Sequence, residues 1–204
     1  MSDNAFTYGN LILLYSNFNY ENVGPKPDSF RPSGQLTYID LPDFVKARIT
    51  LCINTFDIIM KSKPDKFHTK VILIADSQFS QIIVNYLNQN GVSSQYIEQD
   101  NTSKSIESVL NNLNARINTL NNPPAIYFVG SVWQKEVFDS IIVSNFKGKL
   151  KVVFEGALDH RPYDLIQRDK LTEEPKKGSN YYKQKVKNKA IDSLLNYIFS
   201  NKKK

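Results

Sequence analysis

The sequence predicts an α/β protein: a Rossmann-like three-layer sandwich with a mostly parallel five-stranded sheet and helices on both faces. Two observations support this prediction. Short apolar runs alternate along the chain with stretches of helical periodicity, and three of the runs are apolar at nearly every position. Continuous apolar runs are typical of parallel strands that are covered on both faces. Right-handed crossovers between such strands favour the order 3-2-1-4-5.

Five short runs are the predicted strands, at residues 11–15, 71–75, 95–98, 125–129 and 150–154. Between and after them, apolar residues recur three and four positions apart, which predicts helices. These apolar stripes lie within residues 45–59, 79–87, 106–120, 137–142 and 186–198. Helix stop signals follow three of the stripes, at residues 90–91, 122–124 and 147–148. The alternation therefore repeats strand, helix, strand along the chain.

The chain length and composition favour one domain over residues 1–204. With 204 residues, of which 41% are hydrophobic, the chain can bury a sizeable core. The only cysteine, Cys52, excludes an internal disulfide, and the two histidines, His68 and His160, exclude a histidine-rich metal site. No apolar run approaches the ~20 residues of a membrane span, and the N-terminus lacks a secretory signal. We therefore expect a cytoplasmic protein without a transmembrane segment.

The net charge of +6 is concentrated at the C-terminus. Residues 176–204, the predicted basic helical extension, hold nine lysines and one acidic residue, Asp192. Such a segment attracts the phosphates of nucleic acid or of anionic lipid regardless of sequence. The alternative is a solvated helix face that ends in lysines.

Polar residues follow every predicted strand at its carboxyl end, the edge where open α/β sheets bind ligands. Two long connections, residues 17–40 and 156–180, leave the same edge, as binding loops or lids do. Small polar residues there also serve as ordinary helix N-caps. The ligand-binding candidates at this edge are Ser16, Asn17, Asp76, Ser77, Glu98, Thr102, Ser105, Glu107, Ser131, Gln134 and Glu155.

Arg48 interrupts the apolar stripe of the first helix, three residues after Val45 and four before Cys52. A guanidinium in such a position either reaches outward to water or meets a carboxylate or a ligand anion. We count it among the ligand-binding candidates.

Asp159, Arg161 and Asp164 surround His160 in the densest polar cluster of the chain. His160 is a candidate general base with a carboxylate to orient its ring, and Asp159 and Arg161 are candidates for ligand binding. A salt-bridge cluster in a surface loop explains the same residues. The catalytic candidates are His160, Glu107 and Glu98. The sequence has no phosphate-loop lysine motif, dinucleotide glycine fingerprint or Gly-x-Ser-x-Gly elbow.

Two segments resemble the SanA/YdcF/ElyC-like family, a Rossmann-like domain of unknown function. Residues 102–108 (TSKSIES), which follow a Gly-Val pair at 91–92, resemble that family's Ser-x-x-Thr-x-Glu-Asn, and residues 129–134 (VGSVWQ) resemble its Val-Thr-Ser-x-x-His. Arg48 lies where the family's first-helix arginine falls. The resemblance covers about residues 10–155 and implies a divergent member, with Gln134 in place of the histidine and Val137 in place of an arginine.

Two functions are consistent with these patterns. The first is a cytoplasmic protein that binds a phosphate-bearing or nucleotide-like small molecule at the carboxyl edge of the sheet, with or without a reaction. The second is a non-enzymatic binding or scaffold protein that uses residues 176–204 on anionic lipid or nucleic acid.

Overall fold

The computed structural model describes residues 9–18, 37–62, 69–117, 123–146 and 152–173. The strands are β1 (Asn10–Tyr15), β2 (Thr69–Ile74), β3 (Ile97–Asp100), β4 (Ala125–Ser131) and β5 (Val152–Ala157). The helices are α1 (Asp43–Ser62), α2 (Ser77–Gln89), α3 (Ile106–Ile117), α4 (Lys135–Ile141) and α5 (Tyr163–Thr172).

All five strands are parallel and lie in the order β3-β2-β1-β4-β5, which confirms the predicted fold class and strand order. The central strand β1 pairs with β2 on one side, Leu13 opposite Ile72, and with β4 on the other, Leu13 opposite Phe128. Strands β2 and β3 lie on one side of β1, and strands β4 and β5 lie on the other, so the strand order changes direction at the boundary between β1 and β4. This reversal is the topological switch point, where open α/β sheets hold their ligands.

The core consists of one apolar cluster on each face of the sheet. Helices α1 and α2 pack on one face, against strand residues such as Ile12 and Val71. Helices α3 and α4 pack on the other face, against residues such as Leu13 and Phe128. Alternate residues of β1 thus enter opposite clusters, as the period of two in a strand requires. The prediction of helices on both faces is confirmed.

Helix α5 was not predicted, since the sequence shows only a long connection there. The helix begins after Pro162, whose carbonyl accepts the N–H groups of Leu165 (3.1 Å) and Ile166 (3.2 Å). Its one fully buried residue is the polar Asp169, so it lacks the apolar stripe by which the other helices are recognised. The edge strand β3 also begins two residues later than predicted, because it has no continuous apolar run to mark its ends, and the predicted start of β5 at residue 150 lies outside the described residues.

Three predictions lie wholly or largely outside the described residues. They are the long connection at 17–40, the helix at 186–198 and the basic extension at 176–204, whose proposed binding to anionic lipid or nucleic acid stays a prediction. Within the described ranges, no helix combines the length and the apolar character that a bilayer crossing demands.

Candidate functional site

A cavity of about 250 Å³ lies at the switch point, where the carboxyl ends of β1, β2 and β4 meet the loop after β3. Helices α1 and α5 complete its wall. Its lining residues are Tyr15, Asn17, Phe18, Arg48, Asp76, Lys104, Trp133, Gln134, Asp169, Thr172 and Glu173. Residues that are far apart in the chain therefore share one crevice at the edge that the fold class predicts.

Arg48 is the most deeply buried charge of this cavity, with 1% of its surface exposed. Its Nε donates to Ser131 Oγ (2.9 Å), and its Nη1 donates to the carbonyls of Tyr15 (3.1 Å) and Asn17 (3.3 Å). Nη2 makes no hydrogen bond to a described residue. Burial lowers the pKa of Arg48 to about 10, against the opposing charge of Asp159, so the guanidinium is still protonated at neutral pH. No carboxylate within the described ranges forms an ion pair with it.

Asp159 lies behind Arg48 and collects several donors. Its Oδ2 accepts Trp133 Nε1 (3.0 Å), Arg161 Nη2 (2.8 Å) and, at 3.4 Å, the Ser131 hydroxyl that accepts from Arg48. Its Oδ1 accepts the backbone N–H (3.2 Å) and Nε (3.0 Å) of Arg161. Burial alone would raise the pKa of Asp159, but the hydrogen bonds and charge of Arg161 and the Trp133 bond lower it below its ordinary value. Asp159 therefore stays ionised and fixes the side chains of Ser131, Trp133 and Arg161 beside the cavity.

Arg161 joins three parts of the fold. Besides Asp159, it pairs through Nη1 with Asp169 Oδ2 of α5 (2.7 Å), and its Cζ lies 3.7 Å from the ring centroid of Phe44 in α1. The Arg161 side chain is 7% exposed and that of Asp159 is 2% exposed. Of the predicted polar cluster after β5, Asp159 and Arg161 form a buried ion-pair network with Asp169, whereas His160 and Asp164 are exposed.

Glu173, just after α5, reaches across the cavity to the start of α3. Its Oε2 accepts the N–H of Ile106, the first residue of α3, at 3.1 Å, and its Oε1 accepts the hydroxyl of Tyr15. A carboxylate at a helix N-terminus meets free N–H groups and the positive end of the helix dipole. Burial nevertheless raises the pKa of Glu173. This residue therefore links α5 to both β1 and α3.

We expect Glu173→Gln to change the pH dependence of stability. Because the folded pKa of Glu173 lies above its unfolded value of about 4.3, its stabilising contribution is complete below that value and is lost as the pH rises through the folded pKa. The amide of the variant keeps both contacts, since its oxygen accepts the Ile106 N–H and its nitrogen donates to the hydroxyl oxygen of Tyr15. The Tyr15 hydroxyl then donates its own hydrogen to the Lys104 carbonyl, 3.4 Å away. The melting temperature of the variant, relative to the wild type, should therefore rise between pH 4 and pH 8. A difference that stays constant over this range would contradict the prediction.

A second, larger groove of about 760 Å³ runs between the start of α1 and the end of β5. Its walls include Ile39 and Leu158, both largely exposed, together with His160. The buried cation in this groove is Arg161, which already pairs with Asp159 and Asp169. The groove therefore offers a ligand apolar surface but no unpaired buried charge, and we place the candidate site in the smaller cavity.

The cavity brings together four of the predicted ligand-binding residues, Asn17, Arg48, Asp76 and Gln134. Ser131, Asp159 and Arg161 lie in the layer behind it. Ser16 is buried beside Asn17, and its hydroxyl makes no hydrogen bond to any residue that the structure describes. Gln134 also has a structural role, since its Oε1 accepts the Ser131 N–H (2.8 Å).

The other predicted residues lie away from this cavity. Glu98 pairs with Arg116 (2.6 Å) and borders, with Thr102, a shallow depression beside β3. Ser105 exchanges hydrogen bonds with Ser108 at the start of α3, where Glu107 is half-buried. Ser77 is exposed at the start of α2, and Glu155 is half-buried in β5.

Sequence reasoning missed the contributions of Tyr15, Lys104, Asp169 and Glu173. Tyr15 reads as an ordinary core residue of β1, and Lys104 forms an ion pair with Asp76 across the cavity mouth. Asp169 and Glu173 belong to a polar stretch with no periodic pattern, so no local signal marks them. Among the described residues, no group of three or more His, Cys, Asp or Glu side chains is arranged to hold a metal ion.

Comparison of the chain with protein-family models, curated proteins and solved structures finds no match. The Rossmann-like parallel α/β fold therefore stands on the structure itself. No matching family supports the assignment to SanA/YdcF/ElyC-like proteins.

Proposed function

We propose that this protein binds a small phosphate-bearing molecule in the cavity at the switch point. The observation that carries the proposal is Arg48, a fully buried guanidinium on the cavity wall that has no ion pair among the described residues. Removing an ion from water costs several kcal/mol unless a partner compensates for the loss. Carbonyl and hydroxyl acceptors offset this cost only in part, so an anion beside Arg48 completes the site.

Arginine also suits phosphate by its geometry. A guanidinium presents its N–H donors in a planar fork that matches the oxygens of phosphate or carboxylate. In Arg48, the Nε and Nη1 donors are held by Ser131 and by the carbonyls after β1, so Nη2 is the group that remains for a ligand. The fixed Nε and Nη1 contacts orient this donor before the ligand arrives, which reduces the entropy lost on binding.

The test is a thermal unfolding screen with inorganic phosphate, nucleoside monophosphates, nucleotide-sugars and polyprenyl phosphates, against sodium chloride of equal ionic strength. A ligand at 100 times its dissociation constant stabilises the fold by about 2.7 kcal/mol. For a chain of this size we expect a rise of about 5–10 °C in the melting temperature. The proposal is wrong if no phosphate-bearing compound raises the melting temperature above the chloride control.

A further inference from the structure

The two ends of the cavity differ in charge and exposure. At the inner end lies Arg48, with 1% of its surface exposed. At the outer end lies the ion pair between Asp76 and Lys104, whose side chains are 37% and 62% exposed. Asp76 uses Oδ1 for Lys104, and its Oδ2 has no hydrogen bond to a described residue. Of the other lining carboxylates, Asp169 pairs with Arg161, and Glu173 accepts from Tyr15 and Ile106. A ligand therefore meets a buried cation at one end and the Asp76 carboxylate at the other.

The size of the cavity limits the ligand. Its volume is about 250 Å³. Pockets for drug-sized molecules start at about 300 Å³. A dinucleotide is too large for this space, whereas a phosphate carried on a short hydroxylated chain or a single sugar is of suitable size.

We infer that the ligand is the phosphate monoester of a small polyol or monosaccharide, with its phosphate at Arg48 and a hydroxyl group donating to Asp76. This inference rests on the proposed function and adds the class of molecule that carries the phosphate. The inference is supported by the Asp76 carboxylate at the cavity mouth, which a site for phosphate alone does not need. The same carboxylate would repel a second phosphate group.

The test compares ribose 5-phosphate, inorganic phosphate, ribose and NAD by titration calorimetry on the full chain. One additional hydrogen bond from a ligand hydroxyl to a charged acceptor corresponds to about a ten-fold gain in affinity. We expect ribose 5-phosphate to bind about ten-fold or more tightly than inorganic phosphate, and ribose and NAD to bind more weakly than either.

Asp76→Ala provides the decisive variant. Asp76 precedes α2 without a side-chain capping hydrogen bond, so the fold should tolerate its removal. Loss of the carboxylate should abolish the advantage of ribose 5-phosphate and, since Lys104 is freed, should tighten the binding of inorganic phosphate. Asp57→Ala, which removes an exposed carboxylate paired with Lys61 on α1, is the matched control and should change neither affinity.

The outcomes separate the two proposals. If inorganic phosphate binds but ribose 5-phosphate binds no more tightly, the inference fails and the proposed function stands. If neither binds, the inference fails, and the proposed function fails with it when no phosphate-bearing compound of the thermal screen raises the melting temperature. Tighter binding of NAD than of ribose 5-phosphate, or an equal loss of both phosphate ligands in Asp76→Ala, would also overturn the inference.

Discussion

Arg48→Ala should abolish the stabilisation that phosphate-bearing ligands give, and should lower the free energy of unfolding by about 2–5 kcal/mol. The first effect follows from the loss of Arg48, a cavity cation that has no ion pair among the described residues. The second follows because the carbonyls of Tyr15 and Asn17 and the Ser131 hydroxyl lose their shared donor. A domain of ordinary stability, about 5–15 kcal/mol, survives this loss. Urea unfolding with and without ligand measures both effects.

Two further variants test whether the effects of Arg48→Ala come from the loss of the Arg48 guanidinium. Arg48→Lys retains a charge but not the planar fork, so it should restore stability in part and ligand binding only weakly. Arg116→Ala removes a half-exposed arginine that pairs with Glu98, and it should cost no more than about 1 kcal/mol and leave ligand binding intact. If Arg48→Ala still responds to the same ligand, Arg48 is not part of the site.

Asp159→Ala should be the most destabilising substitution behind the cavity, with a loss of about 3–5 kcal/mol in the free energy of unfolding. The change leaves Arg161 buried with one carboxylate instead of two and removes the acceptor of Trp133 Nε1. Removing one partner of a buried ion pair costs more than the pair itself contributes, because the remaining charge stays desolvated. Equilibrium unfolding in urea measures the loss, and Asp57→Ala at an exposed pair is the control.

The same carboxylate also sets a pH dependence. Since the folded pKa of Asp159 lies below its unfolded value of about 3.9, its stabilising contribution is present above that value and is lost as the pH falls through the folded pKa. Asp159→Asn should therefore flatten the loss of stability in acid while lowering stability at pH 7. An unchanged acid limb in this variant would show that Asp159 does not carry the effect.

The sheet was predictable because each of its central strands has a clear signal in its own local sequence. The runs of β1, β2 and β4 are apolar on both faces. This pattern is typical of strands in a parallel sheet that is covered by helices on both sides. Arg48 was predictable as a candidate for a similar reason, since a charge within an apolar stripe must find a partner. In both cases the informative pattern lies within a few neighbouring residues.

The remainder of the site depends on contacts that no local pattern encodes. Glu173 is significant because it meets Tyr15 and the start of α3, which precede it by more than sixty residues. Asp159 could be selected as polar, but its role as the acceptor for Trp133 depends on how the end of β5 packs against the turn between β4 and α4. Glu98 and Glu107 shared the predicted edge with Arg48, yet neither lines the crevice: Glu98 lies in β3, beyond β2, and Glu107 lies in the first turn of α3.

Helix α5 closes the cavity with almost no apolar contact of its own, and it is held by Asp169, Glu173 and an ion pair from Lys170 to Glu136 (3.6 Å). Elements held mainly by polar links open at a lower free energy than the hydrophobic core. We therefore expect α5 to detach transiently while the sheet beneath stays folded, which would widen the cavity beyond its mouth at Asp76 and Lys104.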